Sequence, residues 1–277
     1  MLVKDVIRLL NNYAPLSYSE EFDNTGLIIG NKNNNVTGIL ICLDSTVEVI
    51  QEAIDLKYNM IVSFHPIIFR GLKQLSPGNY VNDSVLLAIK NNISIYAIHT
   101  ALDNSVVGVN SKLAQELGIS KLKILLPKQN TIKKLTTYIP VEKAHFLRDE
   151  LFNTGAGAIG KYQNCSFSIE GKGTFKGDES SNPSIGNKME DTVQTEVCIN
   201  ITYLKHLENK VLSKLREIHP YEEIAYEIIT LENINENIGM GMYGEIKEPL
   251  SEVKLIEKLK NKLGIKFVKH SKSVSYT

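Results

Sequence analysis

The chain has 277 residues and a formal net charge of zero, because 31 lysines and arginines balance 31 aspartates and glutamates. Its 43% of apolar and 22% of charged residues are ordinary for globular proteins and exclude a fully disordered or fibrous chain, and the length predicts two domains. Only four of the basic residues are arginine, which together with the zero net charge makes a dedicated nucleic-acid-binding protein an unfavoured interpretation.

The first 125 residues alternate between the patterns of helices and strands. A helix is predicted at the N-terminus, where apolar residues recur at helical spacing in 2–10. An amphipathic stretch that begins at Ser45, with Glu48 completing a capping box, predicts a further helix, as do the stretches 82–90 and 109–117. Short apolar runs predict buried strands at 26–29, 38–43, 60–62 and 93–98. This alternation predicts an α/β domain with a mostly parallel sheet.

A second pattern begins after Pro127. Strands are predicted at 133–139, 165–175, 195–203 and 224–231. Helices are predicted at 141–153 and 206–218, and a polar loop at 176–192. The resulting order β-α-β-β-α-β is that of ferredoxin-like domains.

The last part of the sequence returns to the first pattern, with a helix predicted at 251–263 and the start of a strand at 266–268. The glycine-rich segment 239–244 is predicted to be a flexible re-entry into the α/β domain. We therefore predict an N-terminal part of the α/β domain, an insertion and an incomplete return to the α/β domain, at residues 1–127, 128–235 and 236–277. The host domain is expected to be incomplete because an α/β domain that ends on one unfinished strand is unusual.

The cysteines and the N-terminus predict a cytoplasmic protein. Cys42, Cys165 and Cys198 are far apart and form no CxxC pair, so neither a disulfide framework nor a thiolate zinc site is indicated. The apolar N-terminal stretch contains an acid and an arginine and lacks a small-residue cleavage site, unlike a signal peptide. No apolar run approaches the roughly 18 residues of a membrane span, so a reduced compartment without membrane attachment is expected.

Acidic and histidine side chains follow the predicted strands of the α/β domain. Asp44, His65 and His99 lie at the ends of successive strands, Asp103 follows soon after, and Asp23 precedes the first strand. Ligands of open α/β sheets gather at these strand ends. A mixture of imidazoles and carboxylates suits zinc, iron or manganese, and carboxylates bridge metal pairs. The alternative is that the aspartates cap helices and the histidines bind buried backbone groups.

Other conspicuous motifs favour structural roles. The glycines at 155, 157 and 160 match a dinucleotide-binding pattern by letters, but they follow a predicted helix and lead into a strand, which favours a turn over a cofactor site. His219 is predicted to end a helix, where partial positive charge suits the dipole, and its neighbours Glu222 and Glu223 point to opposite faces. The remaining histidines are predicted to be surface residues: His145, His206 and His270.

Several segments together resemble one known family. In the α/β domain they are 21–30 (EFDNTGLIIG), 43–46 (LDST), 64–69 (FHPIIF), 99–104 (HTALDN) and 108–110 (GVN). In the middle block they are 155–162 (GAGAIGKY), 171–175 (GKGTF), 182–186 (NPSIG) and 219–226 (HPYEEIAY). The first set resembles the Ngg-interacting-factor-three-like family, known as GTP cyclohydrolase I type 2 homologues or dinuclear-metal-centre hexameric proteins. The second set resembles the PII/CutA-like insertion of its longer members.

The resemblance implies a site with two divalent metal ions per subunit, held in this chain by His65 and Asp103. Phe64 stands where the family has the first of two adjacent histidines. A further histidine and glutamate come, in the family, from a C-terminal segment that this chain does not contain. The site is therefore expected to be partial and to bind metal weakly or not at all.

The resemblance also implies a function and a quaternary structure. The first candidate is a metal-dependent hydrolase that acts on an unidentified small molecule, with GTP suggested by the family name alone. His99 is expected to line this site without binding metal directly. His99, Asp44 and Asp23 are the candidates for orientation or proton transfer. The second candidate is a non-catalytic metal-binding or regulatory scaffold. In either case a homohexamer built from two trimers is expected.

Overall fold

The computed structural model describes residues 1–270, which divide into two compact units. The first unit contains Met1–Lys128 and the chain from Glu236 onward, and the second contains Gln129–Asn235. Helices and sheets are mixed in both units, so the predicted α/β class is confirmed. No helix within residues 1–270 is both long enough and apolar enough to cross a membrane.

The helices and strands are numbered along the chain. The α-helices are α1 (Val3–Tyr13), α2 (Val47–Asp55), α3 (Tyr80–Lys90), α4 (His99–Asp103), α5 (Val109–Glu116), α6 (Ala144–Asn153), α7 (Glu208–Ile218) and α8 (Glu252–Leu263). The strands are β1 (Gly26–Ile29), β2 (Ile39–Cys42), β3 (Met60–Ser63), β4 (Ser94–Ala97), β5 (Ile119–Pro127), β6 (Ile132–Pro140), β7 (Phe167–Lys176), β8 (Asp191–Leu204), β9 (Tyr226–Leu231) and β10 (Gly239–Ile246).

A four-stranded sheet organises the first unit, with the strand order β1-β4-β3-β2. The strands β2, β3 and β4 are parallel, and β1 joins β4 in the antiparallel direction. Every residue of β3 and β4 is buried, because helices cover both faces of the sheet. Ile61 and Ile95 face α2 and α3, whereas Met60 and Tyr96 face α1. The sheet thus lies between two apolar layers.

Helix α2 begins one residue later than its capping pattern predicts. The Thr46 hydroxyl accepts a hydrogen bond from the Val49 amide at 3.4 Å, so Thr46 is the N-cap. Ser45 is buried instead, and its hydroxyl lies 3.9 Å from the Cys42 sulfur. The predicted cap at Ser45 was therefore wrong by one position.

The prediction of a flexible segment at 239–244 was wrong, because these residues begin β10. This strand pairs with β5 from Gly239 opposite Pro127 to Ile246 opposite Ile119. Gly239 has a φ of 154°, and a Cβ atom there would lie 2.2 Å from a carbonyl oxygen of β5. The glycine thus permits a close strand approach. Beyond β5, the Lys128 amide donates to the Ile238 carbonyl at 2.8 Å, so the two chain segments stay paired at the unit boundary.

The strand start predicted at 266–268 was also wrong. Helix α8 ends at Gly264, which adopts the left-handed conformation with a φ of 64°. No strand occurs between this glycine and residue 270. The residues 271–277 of the predicted return segment lie outside the described part of the chain.

The second unit follows the order β6-α6-β7-β8-α7-β9 and contains one antiparallel sheet with the strand order β7-β8-β6-β9. Its core lies between one face of this sheet and the two helices. The buried residues of this core include Leu135, Leu147, Leu151, Ile199, Val211 and Leu215. Strand β8 begins at Asp191, four residues before the predicted position, so the polar loop is shorter than expected.

Replacing the central isoleucine of β3 tests the core of the first unit. We expect Ile61→Ala to lower the free energy of unfolding by about 2–5 kcal/mol, since Ile61 is fully buried and alanine leaves a cavity. Urea unfolding followed by far-UV circular dichroism measures this change. The matched control is Ile89→Ala on the exposed side of α3, for which we expect a change of about 0.5 kcal/mol or less. Equal effects of the two substitutions would contradict the assigned core.

Candidate functional site

Backbone pairing continues past the carboxyl ends of β2, β3 and β4 and positions the candidate site. The His65 amide donates to the Leu43 carbonyl at 2.9 Å, and the His99 amide donates to the Phe64 carbonyl at 2.9 Å. These bonds extend the parallel ladder by one step on each side of the central strand. His65 and His99 consequently lie next to each other at the edge of the sheet.

His65 pairs with the carboxylate that follows β2. Its Nδ1 atom lies 2.8 Å from Asp44 Oδ1, and both side chains are about half exposed. The His65 carbonyl in turn accepts a hydrogen bond from the Ser63 hydroxyl at 2.9 Å. Because the carboxylate engages Nδ1, the imidazole is oriented with Nε2 available to a ligand.

His99 pairs with a carboxylate that is completely buried. Its Nδ1 atom lies 2.8 Å from Asp23 Oδ1. Asp23 also accepts hydrogen bonds from the Thr100 amide at 3.1 Å, from the Thr100 hydroxyl and from the Asn24 amide at 2.7 Å. Burial raises the pKa of Asp23, but the bonds from Thr100, His99 and Asn24 outweigh it and hold the pKa below 3.8. Asp23 is thus an anion at neutral pH that orients the His99 ring.

The backbone of His99 is strained. Its φ of 27° lies in the left-handed region, which residues other than glycine rarely adopt. The bond from its amide to Phe64 and the bond from its ring to Asp23 hold this conformation. Strain of this kind persists only where the surrounding structure fixes it, and it is concentrated at functional sites.

Aromatic rings surround the two histidines. The ring centroids of His65 and His99 lie 5.3 Å apart at an angle of 79°. The Phe64 ring lies edge to face with both of them, at 5.0 Å from His65 and 5.4 Å from His99. The ring centroid of Phe69 lies 6.3 Å from that of His99. The site therefore has an apolar wall that Phe64 supplies, in the position where the family resemblance implies a second imidazole.

Asp103 is the third acidic residue of the site. It ends α4, and its side chain is partly buried. Burial raises the pKa of its carboxyl group, the charges of His99 and His65 lower it, and the charge of Asp23 raises it, with a net increase. Asp103 is thus electrostatically coupled to both histidines. Its carboxylate accepts no hydrogen bond from the described residues, so it remains available to an external partner.

Four of the five predicted site residues form two histidine–carboxylate pairs at one edge of the sheet, and the fifth, Asp103, is linked to them electrostatically. A cavity of about 290 Å³ opens there, lined among others by Asp44, His65, His99 and Tyr80. The donor atoms suit a divalent metal. Within residues 1–270, however, no group of three or more His, Cys, Asp or Glu side chains is placed to enclose an ion. The types of donor atom are those that bind a divalent metal, but there are too few of them around one point to enclose it.

Sequence reasoning missed the groups that fix Asp23. Thr100 and Asn24 each donate to it, and Thr100 is 77 residues away along the chain. The only available signal was position, because Thr100 directly follows a strand-end histidine. Tyr80 was missed as well. It is the first residue of α3, and only the tertiary structure shows that it lines the cavity.

The predictions for two histidines need correction. His219 ends α7 as predicted, but it is buried, its Nε2 donates to the Tyr138 carbonyl at 3.0 Å, and burial lowers its pKa, which disfavours the positive charge expected there. His206, predicted at the surface, is half-buried, and burial lowers its pKa too. By contrast, His145 is exposed and pairs with Asp149. The glycines 155, 157 and 160 all have positive φ in the turn after α6.

Comparison with known proteins gives concordant matches. A family model described as Duf34/NIF3 (NGG1p interacting factor 3) matches residues 1–276. A protein of Bacillus subtilis named GTP cyclohydrolase 1 type 2 homolog is 35% identical over 267 residues, covering 96% of this chain and 72% of that protein. A Staphylococcus aureus protein of the same name is 34% identical over 271 residues, covering 97% and 73%.

Solved structures match as well. A Bacillus cereus protein related to NIF3 superimposes with a TM-score of 0.79 at 35% identity, covering 96% of this chain and 71% of that chain. The Staphylococcus aureus protein SA1388 superimposes with a TM-score of 0.66 at 30% identity, covering 96% and 69%. This chain therefore spans about seven tenths of the length of these relatives.

Removing the charge of Asp23 tests its role in orienting His99. Asp23 contributes stability above the pKa of the unfolded state, and this contribution is lost as the pH falls through the lower pKa of the folded state. We expect Asp23→Asn to lower the free energy of unfolding by about 1–3 kcal/mol at pH 7, and the difference from wild type to shrink below about pH 4. Urea unfolding across this pH range measures both effects.

The control for this prediction is Glu21→Gln, two residues away and exposed, which should change stability by about 0.5 kcal/mol or less at either pH. A difference between Asp23→Asn and wild type that stays constant from neutral to acidic pH would contradict the assigned ionised state.

Proposed function

Because the chain belongs to the Duf34/NIF3 family, we propose that its first unit carries part of a metal-dependent hydrolytic site at the carboxyl ends of β2, β3 and β4. One observation carries the proposal: two histidine–carboxylate pairs lie side by side, with His65 and His99 ring centroids 5.3 Å apart. The name of the relatives suggests a nucleotide such as GTP as the first substrate to test.

His65 and Asp103 are the proposed metal-holding residues. Asp44 engages His65 Nδ1, which directs Nε2 outward, and the Asp103 carboxylate is not bonded to other described residues. Zinc, iron and manganese all accept such mixed donors. The family resemblance implies a pair of ions per subunit. A metal ion held there would supply Lewis-acid activation of the substrate and of water. Two donors from this chain leave most coordination positions to other ligands, so weak binding is expected.

His99 is the proposed proton-transfer residue. Asp23 is ionised and bonded to Nδ1, which favours the tautomer with a proton on Nδ1 and leaves Nε2 to accept one. When His99 gains that proton, the buried Asp23 carboxylate stabilises the resulting imidazolium. The strained backbone and the Phe64 ring restrict the imidazole to one orientation. This arrangement suits proton transfer to or from a substrate bound beside His65.

A second candidate function is a non-catalytic metal-binding or regulatory scaffold. The observation that favours it is the donor count, since the described residues contain no group of three donors around one point. In this case the two histidine–carboxylate pairs stabilise the ends of the strands and take no part in a reaction. The protein then acts as a homo-oligomer, for which the family resemblance implies a hexamer of two trimers. The two candidates differ in whether turnover accompanies metal binding.

Removing the proposed ligands tests the metal site. We expect His65→Ala and Asp103→Ala each to weaken zinc or manganese binding by at least about tenfold, measured by competition with a chromophoric chelator. The control is His145→Ala, because His145 is exposed and lies in the second unit. A variant that carries both substitutions and still holds two metal ions tightly would refute the assignment.

The same variants separate the two functions. Metal-dependent GTP hydrolysis that disappears in His65→Ala and Asp103→Ala supports the enzyme. Oligomers that keep their size in chelator and hydrolyse nothing support the scaffold. GTP hydrolysis that survives both substitutions would exclude this site from the reaction.

Restoring an imidazole at position 64 tests the incomplete donor set. Phe64 already lies against both histidine rings, so Phe64→His adds a third metal donor, beside His65 and Asp103, at the same place. We expect zinc affinity to rise by at least about tenfold, because tight zinc sites have three or four donors. Phe64→Leu is the control, since it removes the same ring without adding a donor. Equal zinc affinities of the histidine and leucine variants would contradict the proposed geometry.

A further inference from the structure

The second unit contains a cavity on the sheet face that its helices leave uncovered. Ile139 and Ile199 point toward α6 and α7, so their neighbours Tyr138 and Cys198 point to the opposite side. Together with the chain at 177–185 and 221–225, this face encloses a cavity of about 630 Å³. A volume of this size is typical of small-molecule sites.

A buried glutamate lines this cavity. Glu196 on β8 is 8% exposed, and its Oε1 atom accepts a hydrogen bond from the Tyr221 hydroxyl at 2.6 Å. Its Oε2 atom lies over Gly173 of β7, where an added Cβ atom would be only 2.1 Å away. The glycine leaves the space that the carboxylate occupies. No hydrogen bond from residues 1–270 reaches Oε2.

Glu196 has no cationic partner in the described part of the chain. None of the ion pairs within residues 1–270 includes it. The nearby His219 does not supply a positive charge, because its Nε2 is bonded to the Tyr138 carbonyl and its Nδ1 accepts from the Tyr221 amide. Burial lowers the pKa of His219, although the Tyr138 carbonyl and the charge of Glu196 raise it in part. A buried carboxylate without a counter-charge is energetically costly.

The cavity combines aromatic walls with an excess of acidic over basic side chains, Glu196 included. Tyr138, Phe175 and Tyr221 form aromatic walls, and the ring centroids of Phe175 and Tyr221 lie 6.2 Å apart. Four glutamates and two lysines line the cavity, which gives an excess of negative charge. The Asn182 amide donates to Glu222 Oε1 at 2.7 Å and ties one side of the cavity to the other. A cation with an apolar body matches this environment.

We propose that this cavity binds a small organic cation, with the ammonium or guanidinium group on Glu196 and the apolar body between the aromatic side chains. The cationic group donates to Oε2, which supplies the counter-charge that Glu196 lacks. The aromatic faces add attraction for a cation and bury the hydrocarbon part of the ligand. This site lies entirely within the second unit and does not depend on the proposed hydrolytic site.

The test compares two probes of the same shape. 2-Phenylethylamine is a cation at pH 7, and 2-phenylethanol is its neutral counterpart. With the 277-residue chain, we expect the amine to bind at least about tenfold more tightly than the alcohol in titrations followed by ligand-observed NMR. Failure of the amine to bind, or equal affinity for the two probes, would overturn the proposal.

Variants locate the recognition at Glu196. Glu196→Gln keeps the shape of the side chain and should weaken amine binding by at least about tenfold while leaving the alcohol unchanged. Gly173→Ala should also weaken amine binding, because the added methyl displaces the carboxylate. The control is Glu217→Gln, an exposed carboxylate of α7 outside the cavity. Far-UV circular dichroism identifies folded variants, and unchanged amine affinity in both folded cavity variants would overturn the assignment.

Discussion

The hydrogen bond from the His99 amide to the Phe64 carbonyl joins the ends of β3 and β4 and determines the geometry of the first unit's site. It holds the chain at the point where β4 turns directly into α4, at the cost of a positive φ at His99. With the backbone fixed there, the ring of His99 meets Asp23 on one side and His65 on the other. Asp103 follows one helical turn later and faces the same edge.

Asp23 and Glu196 are both buried carboxylates, and they show how environment assigns different roles to the same chemical group. Asp23 receives bonds from two backbone amides, a hydroxyl and an imidazole, so its charge is satisfied within the fold. Glu196 receives one bond from Tyr221 and has an oxygen turned toward an open cavity. The first acts as a fixed support for a neighbouring side chain. The second is incomplete without a partner from outside the chain.

The local sequence pattern was sufficient to predict strands where the burial of residues and their periodicity agree. The apolar runs of β3 and β4 predicted buried parallel strands, and the rule that ligands gather at strand ends led to His65, His99 and Asp44. It failed where the deciding contact is distant in sequence. The glycines around Gly239 predicted flexibility, whereas the close carbonyl of Leu126 on β5 explains why a glycine is needed in this strand. No residue near Asp23 in the sequence indicates that Thr100 donates hydrogen bonds to it. Glu196 reads as an ordinary polar position on an alternating strand, because its burial depends on Tyr221 and Gly173.

The pairing of β5 with β10 has a consequence for how the second unit is attached. The chain leaves the first unit after Lys128 and returns to it at Glu236, and the Lys128 amide donates a hydrogen bond to the Ile238 carbonyl two residues later. The exit and the return are therefore adjacent points of one antiparallel ladder, as the two ends of a hairpin would be. A short turn could close the ladder in place of more than a hundred residues without altering the order of the strands. We therefore expect the first unit to tolerate a large change in length at this position, with the sheet that carries the histidines unchanged.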